Sequence, residues 1–165
     1  GAYCAQASCP VPGKSSDELT AELAELGGDL LVRTLPAIAD GSAVWIEQDE
    51  SLVTHAAKIA KAELRLDPAT GTQDNERRVL ASSDAAPARC IVAGKQVRIM
   101  RAAVASPAPR LAAGVCSMSD KRLLLACADG VLEATSIKPD GKREMDAASF
   151  CAGIREETAE WSKLA

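Results

Sequence analysis

The sequence predicts an α+β chain, with a small five-stranded β-barrel in its second half and a helix-rich segment before it. Three observations carry this. The apolar runs Lys121–Ala128 and Val131–Lys138 meet at Asp129-Gly130, and an Asp-Gly pair between such runs is the strongest short-range hairpin signal. The second run ends in Pro139-Asp140-Gly141-Lys142, a turn in which proline presets φ and glycine accepts a positive one. Near the start, Ser15 and Glu18 have capping-box spacing, and Leu19, Leu23, Leu26 and Leu30 recur behind them at helical period.

Taken in order, Tyr3–Val11 reads as a strand and Pro10–Gly13 as a turn. A helix follows from about Ser16. Gly27-Gly28 is expected to break or bend it, leaving a second piece, Asp29–Ala39, that stops at Asp40-Gly41. Ser42–Leu66 reads as a connecting segment with a short helix at His55–Glu63, and a weaker helical signal lies within Asp67–Ser83. Strands are then expected at Arg89–Val92, Gln96–Val104, Leu111–Met118, Arg122–Ala128 and Val131–Ile137, with loops at Ser82–Pro87 and Ala105–Arg110. Five short strands with tight turns suit a barrel of the oligonucleotide-binding type. Its core would hold Val92, Val97, Ile99, Leu111, Val115, Leu123, Leu125, Val131, Leu132 and Ile137. A short closing helix opens behind Asp146, its packing face being Met145, Ala148, Phe150 and Ile154.

Composition narrows the function classes. Of 165 residues, 47% are hydrophobic and 25% charged, a balance for a packed globular chain and not a disordered one. Aromatic residues make up only 2%, so aliphatic side chains must build the core. No apolar run approaches the roughly 20 residues of a membrane helix, and no membrane partner is expected. The opening Gly-Ala-Tyr-Cys has neither the basic nor the long apolar stretch of a secretion signal. A cytoplasmic location is expected, with the six cysteines reduced. None of them forms Cys-x-x-Cys and there is one histidine, His55, so no metal site is expected.

Charge is unevenly spread. Residues 1–66 carry five cations against ten acids, whereas residues 89–143 carry ten cations against four acids. A basic β-rich stretch in an acidic chain is a candidate polyanion-binding surface, although lysine and arginine also serve as ordinary solvated strand residues. Lys95, Arg98 and Arg101 lie on or beside one expected hairpin, and Lys58, Lys61 and Arg65 on the connecting segment. His55 has no acid or thiol partner at suggestive spacing and reads as a surface or structural histidine.

The wording "ADGVLEATSIKPDGKREMDAASFCAG" at Ala128–Gly153 resembles the C-terminal domain of methionyl-tRNA formyltransferases, as does "QDESLVTHAAKIAKAELRLD" at Gln48–Asp67. "LAELGGDLLVRTLPAIADG" at Leu23–Gly41 is similar to the last helices of that family's Rossmann-like catalytic domain. The resemblance implies three parts: residues 1–41 as the end of the Rossmann-like domain, 42–66 as a linker and 67–165 as the C-terminal barrel. It implies a parent enzyme that moves formyl from 10-formyltetrahydrofolate to the amino group of methionine on initiator tRNA. Lys58, Lys61, Arg65, Lys95, Arg98 and Arg101 would then contact tRNA. The family's catalytic Asn, His and Asp have no counterpart, since Asn75 and His55 are the sole residues of their kinds and lie on other segments. No catalytic residue is assigned, and the chain alone is expected to be inactive, monomeric, without a metal and unable to hold the folate. Asp67–Cys90 departs from the family pattern, lacking its aromatic residues. The alternatives are another formyltransferase, acting on nucleotide-linked amino sugars, and a non-catalytic binding module.

Overall fold

The computed structural model describes residues 1–165, which divide into two compact units, Gly1–Lys58 and Ile59–Ala165.

In the first unit the expected strand Tyr3–Val11 shrinks to β1 (Ala2–Tyr3), paired antiparallel with β2 (Ile46–Glu47). Pro10 and Pro12 lack the N–H a ladder requires. The helix α1 (Ser16–Ala39) is a single element of 24 residues and runs through Gly27-Gly28 without a break. Each glycine costs only about 1 kcal/mol relative to alanine, and the surrounding Ala, Leu and Glu carry the helix across. Its start is the expected capping box: Glu18 N–H donates to Ser15 Oγ at 3.2 Å, and Ser15 N–H to Glu18 Oε2 at 2.9 Å. No residue of α1 is buried, and Leu31, Val32 and Leu35 stay exposed. The expected helix at His55–Glu63 does not form. Only single 3-10 turns occur, at Glu50–Leu52 and Lys61–Leu64. Residues 51–60 are all exposed, and so short a stretch with no packed face does not nucleate.

The second unit is a closed barrel. Its strands are β3 (Arg89–Val92), β4 (Lys95–Val104), β5 (Val115–Ser117), β6 (Leu123–Ala126), β7 (Val131–Pro139), β8 (Met145–Asp146) and β9 (Thr158–Ser162). The ring runs β4-β3-β9-β5-β6-β7 and closes by pairing β7 with β4, and β8 pairs with Ser136 and Ile137 of β7, beyond the stretch of β7 that pairs with β6. The barrel is thus six-stranded, one more than expected. The missing strand is β9, which lies between β3 and β5, with Val92 opposite Trp161 and Cys116 opposite Ala159. The expected strand Leu111–Met118 shortens to β5, because Gly114 takes φ +85° and turns the chain, and Leu111 and Val115 are only half-buried.

Trp161 is the largest fully buried side chain, 1% exposed, and its Nε1–H donates to Ala126 O at 2.8 Å. Around it pack Leu66, Val92, Val97, Ile99, Leu123, Leu125, Leu132 and Ile137 with the thiols of Cys90, Cys116 and Cys127. Two short helices cap this core. The first, α2 (Thr72–Leu80), buries Val79, and α3 (Ala147–Ala152), N-capped by Asp146 as expected, buries Phe150.

Two hairpins differ in why they contain glycine. At Ala93-Gly94 both residues have positive φ, 49° and 72°, the two-residue turn that suits the strand twist. Gly130 has no positive φ. A Cβ there would lie 2.9 Å from Thr72 Oγ1, and one on Gly71 would lie 2.8 Å from Asp129 Oδ2. Glycine at these sites permits close approach of the β6–β7 turn to the start of α2, where Thr72 N–H and Oγ1–H both donate to Asp129 Oδ1, at 2.7 and 2.9 Å.

Candidate functional site

Strand alternation sorts the charges. On β3, Cys90 and Val92 point inward while Arg89 points out; on β4, Val97 and Ile99 point inward while Arg98 points out; on β7, Ile137 is inward and Lys138 out. The register places Arg89 opposite Arg98, and Arg98 opposite Lys138. Arg65, just before the barrel, bridges to Arg89 in parallel. The outer wall therefore carries a row of four cations, Arg65–Arg89–Arg98–Lys138, at steps of about 5 Å. Ala88 O accepts from Ile99 N–H and Arg89 O from Leu66 N–H. Arg89 and Arg98 are thus a non-hydrogen-bonded pair, the closer kind of cross-strand neighbour. Like charges directly opposite one another destabilise a sheet.

Two carboxylates offset the repulsion, and both come from outside the strands. Asp84 Oδ1 accepts from Arg98 Nη1 at 2.6 Å, and Asp140 pairs with Arg89 Nη2. The hydrogen bond and charge of Arg98, with the charge of Lys138, hold the Asp84 carboxyl below its usual value. The pairing is incomplete. The Nε–H groups of Arg89 and Arg98 are buried with no acceptor, a condition that costs about 1–3 kcal/mol per group.

The six candidates from sequence do not form one cluster. Arg65 and Arg98 stand in the row. Arg101 is exposed at a bulge of β4, opposite Ser136. Lys95 sits at the hairpin tip, where its Nζ lies 5.9 Å from the Phe150 ring centroid and 3.5 Å from Gly153 O; it covers α3. Lys61 is exposed on its 3-10 turn, and Lys58 is exposed in the first unit. Arg89 and Lys138 were missed. Arg89 was findable: it stands four residues before Ala93 as Arg98 stands four after Gly94, and a two-residue turn fixes that pairing.

A family model described as formyl transferase, C-terminal domain, matches residues 58–155, more than half of the chain. The chain belongs to the formyl transferase C-terminal domain family. Among solved structures it is similar to HypX from Aquifex aeolicus. One HypX variant matches with a TM-score of 0.66 at 18% identity, over 86% of this chain and 26% of that one. Another variant matches with a TM-score of 0.65 at 18% identity, over 95% of this chain and 30% of that one. A HypX structure in complex with tetrahydrofolic acid matches with a TM-score of 0.57 at 18% identity, over 74% of this chain and 22% of that one. At such identity the likeness shows the fold, and the chain spans under a third of the HypX chains.

Burial pushes the thiols of Cys90, Cys116, Cys127 and Cys151 up, away from the reactive thiolate. No three His, Cys, Asp or Glu side chains converge as a metal requires. His55 is exposed. Asn75 is fully buried and structural: it accepts from Asp67 N–H at 3.0 Å and donates to Asp67 O at 2.9 Å. No helix is long and apolar enough to cross a membrane.

Proposed function

We propose that the chain is the acceptor-holding part of a methionyl-tRNA formyltransferase. The donor is 10-formyltetrahydrofolate, the acceptor is the methionine amino group on initiator tRNA, and the groups that bind folate and move protons lie outside these residues. The supporting observation is the row Arg65–Arg89–Arg98–Lys138 on the outer wall of a formyl transferase C-terminal domain. Cations at regular spacing on a rigid sheet contact phosphates, and such contacts position a nucleic acid without reading its sequence. Lys58 and Lys61 would each supply a further phosphate contact of their own. Stacking on the barrel adds little, since Trp161 and Phe150, the aromatic residues of the second unit, are buried.

Binding of tRNA to the purified chain is expected to be weak and largely sequence-independent. It should fall steeply with salt. Replacing Lys61, Arg65 and Lys138 by Ala should flatten the slope of log K against log salt by up to about one unit per lost contact. A salt-insensitive affinity, or a slope unchanged in the triple variant, would refute the reading. The chain alone should transfer no formyl group to methionyl-tRNA; measurable transfer would show a catalytic group within it. The pairing of Arg89 and Arg98 with internal carboxylates favours a second reading, an acceptor with fewer phosphates such as a nucleotide-linked amino sugar. Saturable, weakly salt-dependent binding of a nucleoside diphosphate would select it.

A further inference from the structure

The row of cations is served by carboxylates that are loosely placed. Asp84 projects from the loop Ser82–Pro87 with its side chain 98% exposed, while its partner Arg98 is only 14% exposed. Asp140, in the turn after β7, is 52% exposed against 30% for Arg89. The arginines are thus fixed in the wall and the acids stand in solvent at its rim. Each guanidinium has five N–H donors. Asp84 engages one nitrogen of Arg98 and Asp140 one of Arg89, and the Nε–H of each finds no acceptor at all. Donors are in surplus, positive charge is in surplus, and the acids that partly relieve both are held by exposed ion pairs of the weak kind. A phosphate carries more charge and more acceptor oxygens than a carboxylate and fits arginine forks.

We propose that Arg89 and Arg98, flanked by Arg65 and Lys138, form a phosphate seat that Asp84 and Asp140 occupy in the resting chain, and that a nucleic-acid phosphate displaces these two carboxylates on binding. The seat is self-masked: its own acids stand in for the ligand's phosphate and weaken binding to anything that brings fewer charges than they do. The inference rests on the reading that this face takes the phosphates of a nucleic acid.

The test compares the whole 165-residue chain with D84A, D140A and the double variant, all at exposed positions that leave the core untouched. The probes are a labelled RNA hairpin of unrelated sequence and inorganic phosphate. The double variant should bind the RNA roughly three- to tenfold more tightly at low salt, with a salt slope steeper by about one to two units. The charge control E156A/E157A, at two exposed acids elsewhere, should stay within about twofold of the parent. In the parent chain, RNA should shift the Nε–H resonances of Arg89 and Arg98. If parent and double variant bind RNA equally and those resonances stay fixed, the seat is refuted while the polyanion reading stands. If the control tightens as much as the double variant, the effect is net charge and the seat is again refuted. Resonances that move with inorganic phosphate in a chain that binds no RNA would overturn the nucleic-acid ligand. No binding by any variant would overturn both readings.

Discussion

Asn75 illustrates how far one residue is legible. In the sequence it is only a polar residue within a weak helical signal. In the fold it is fully buried and holds both the N–H and the C=O of Asp67, with Cys127 Sγ 3.4 Å from its Nδ2. This fixes the turn at Asp67-Pro68 that leads into α2. Nothing local signals the role, because both partners belong to a residue eight positions earlier. Asn75→Asp keeps the shape and loses the donor, setting a carboxylate against the Asp67 carbonyl. It should destabilise the second unit by about 1–3 kcal/mol, measured as a fall in the urea midpoint without a change in slope. An unchanged midpoint would show that the pair to Asp67 is dispensable. The opposed Arg89 and Arg98 were legible by contrast, through their equal distance from a two-residue turn. Lys138 was not, since the β4–β7 pairing joins residues forty apart across a bulge.

Among the elements, the hairpins and the capped helices could be read and β9 could not. Turn chemistry and caps are local, so Ser15–Glu18, Asp146, Asp129-Gly130 and Pro139–Lys142 all mark real boundaries. Only Ala159 and Trp161 of β9 face inward, beneath a polar outer face, and two positions are too few to register a period. The same limit explains the unbroken α1: its glycines are local costs that the whole helix absorbs. The junction of α2 with the β6–β7 turn gives two expectations. Gly71→Ala should push Asp129 off the helix start and cost about 1–3 kcal/mol; a variant as stable as the parent would mean that the junction yields freely. The Asp129 carboxyl is held below its usual value first by Thr72 N–H and then by Thr72 Oγ1–H. Its folded pKa is therefore below the unfolded value of about 3.9. That stabilisation is complete at neutral pH and is lost as pH falls below about 4, through the folded pKa. Asp146, held down by Ser149 N–H, adds to the same acid limb. The melting temperature should stay level from pH 7 to 5 and drop below 4. Asp129→Asn keeps an acceptor that does not titrate and should shallow the drop; an equal drop would exclude Asp129 as a source.

At the scale of the molecule, the two units differ in what they bury. Ile59–Ala165 encloses a continuous aliphatic core around Trp161, whereas α1 of Gly1–Lys58 buries no residue. Stability should therefore be uneven along the chain. In hydrogen exchange, the amides of α1 should exchange at least about a hundredfold faster than those of β4 and β7, because opening α1 exposes little that is not already wet. Equal protection in α1 and the barrel strands would contradict this. The barrel class was legible because five of its six strands carry strong local signals. The closure was not, because it is a property of strands that are neighbours in space and distant in sequence.

The position of β9 has a consequence for how the chain is made. Of the ring strands it is the last to be synthesised, yet it sits between β3 and β5. Until it emerges, the ribosome presents a split cylinder with two bare edges, each a template for pairing with another chain. Sixty-six residues separate Val92 from Thr158, so at ordinary translation speeds the edge of β3 waits roughly 3 to 13 seconds for its partner. Anything that slows elongation between those points lengthens the interval in which newborn copies can stitch to each other instead of sealing themselves.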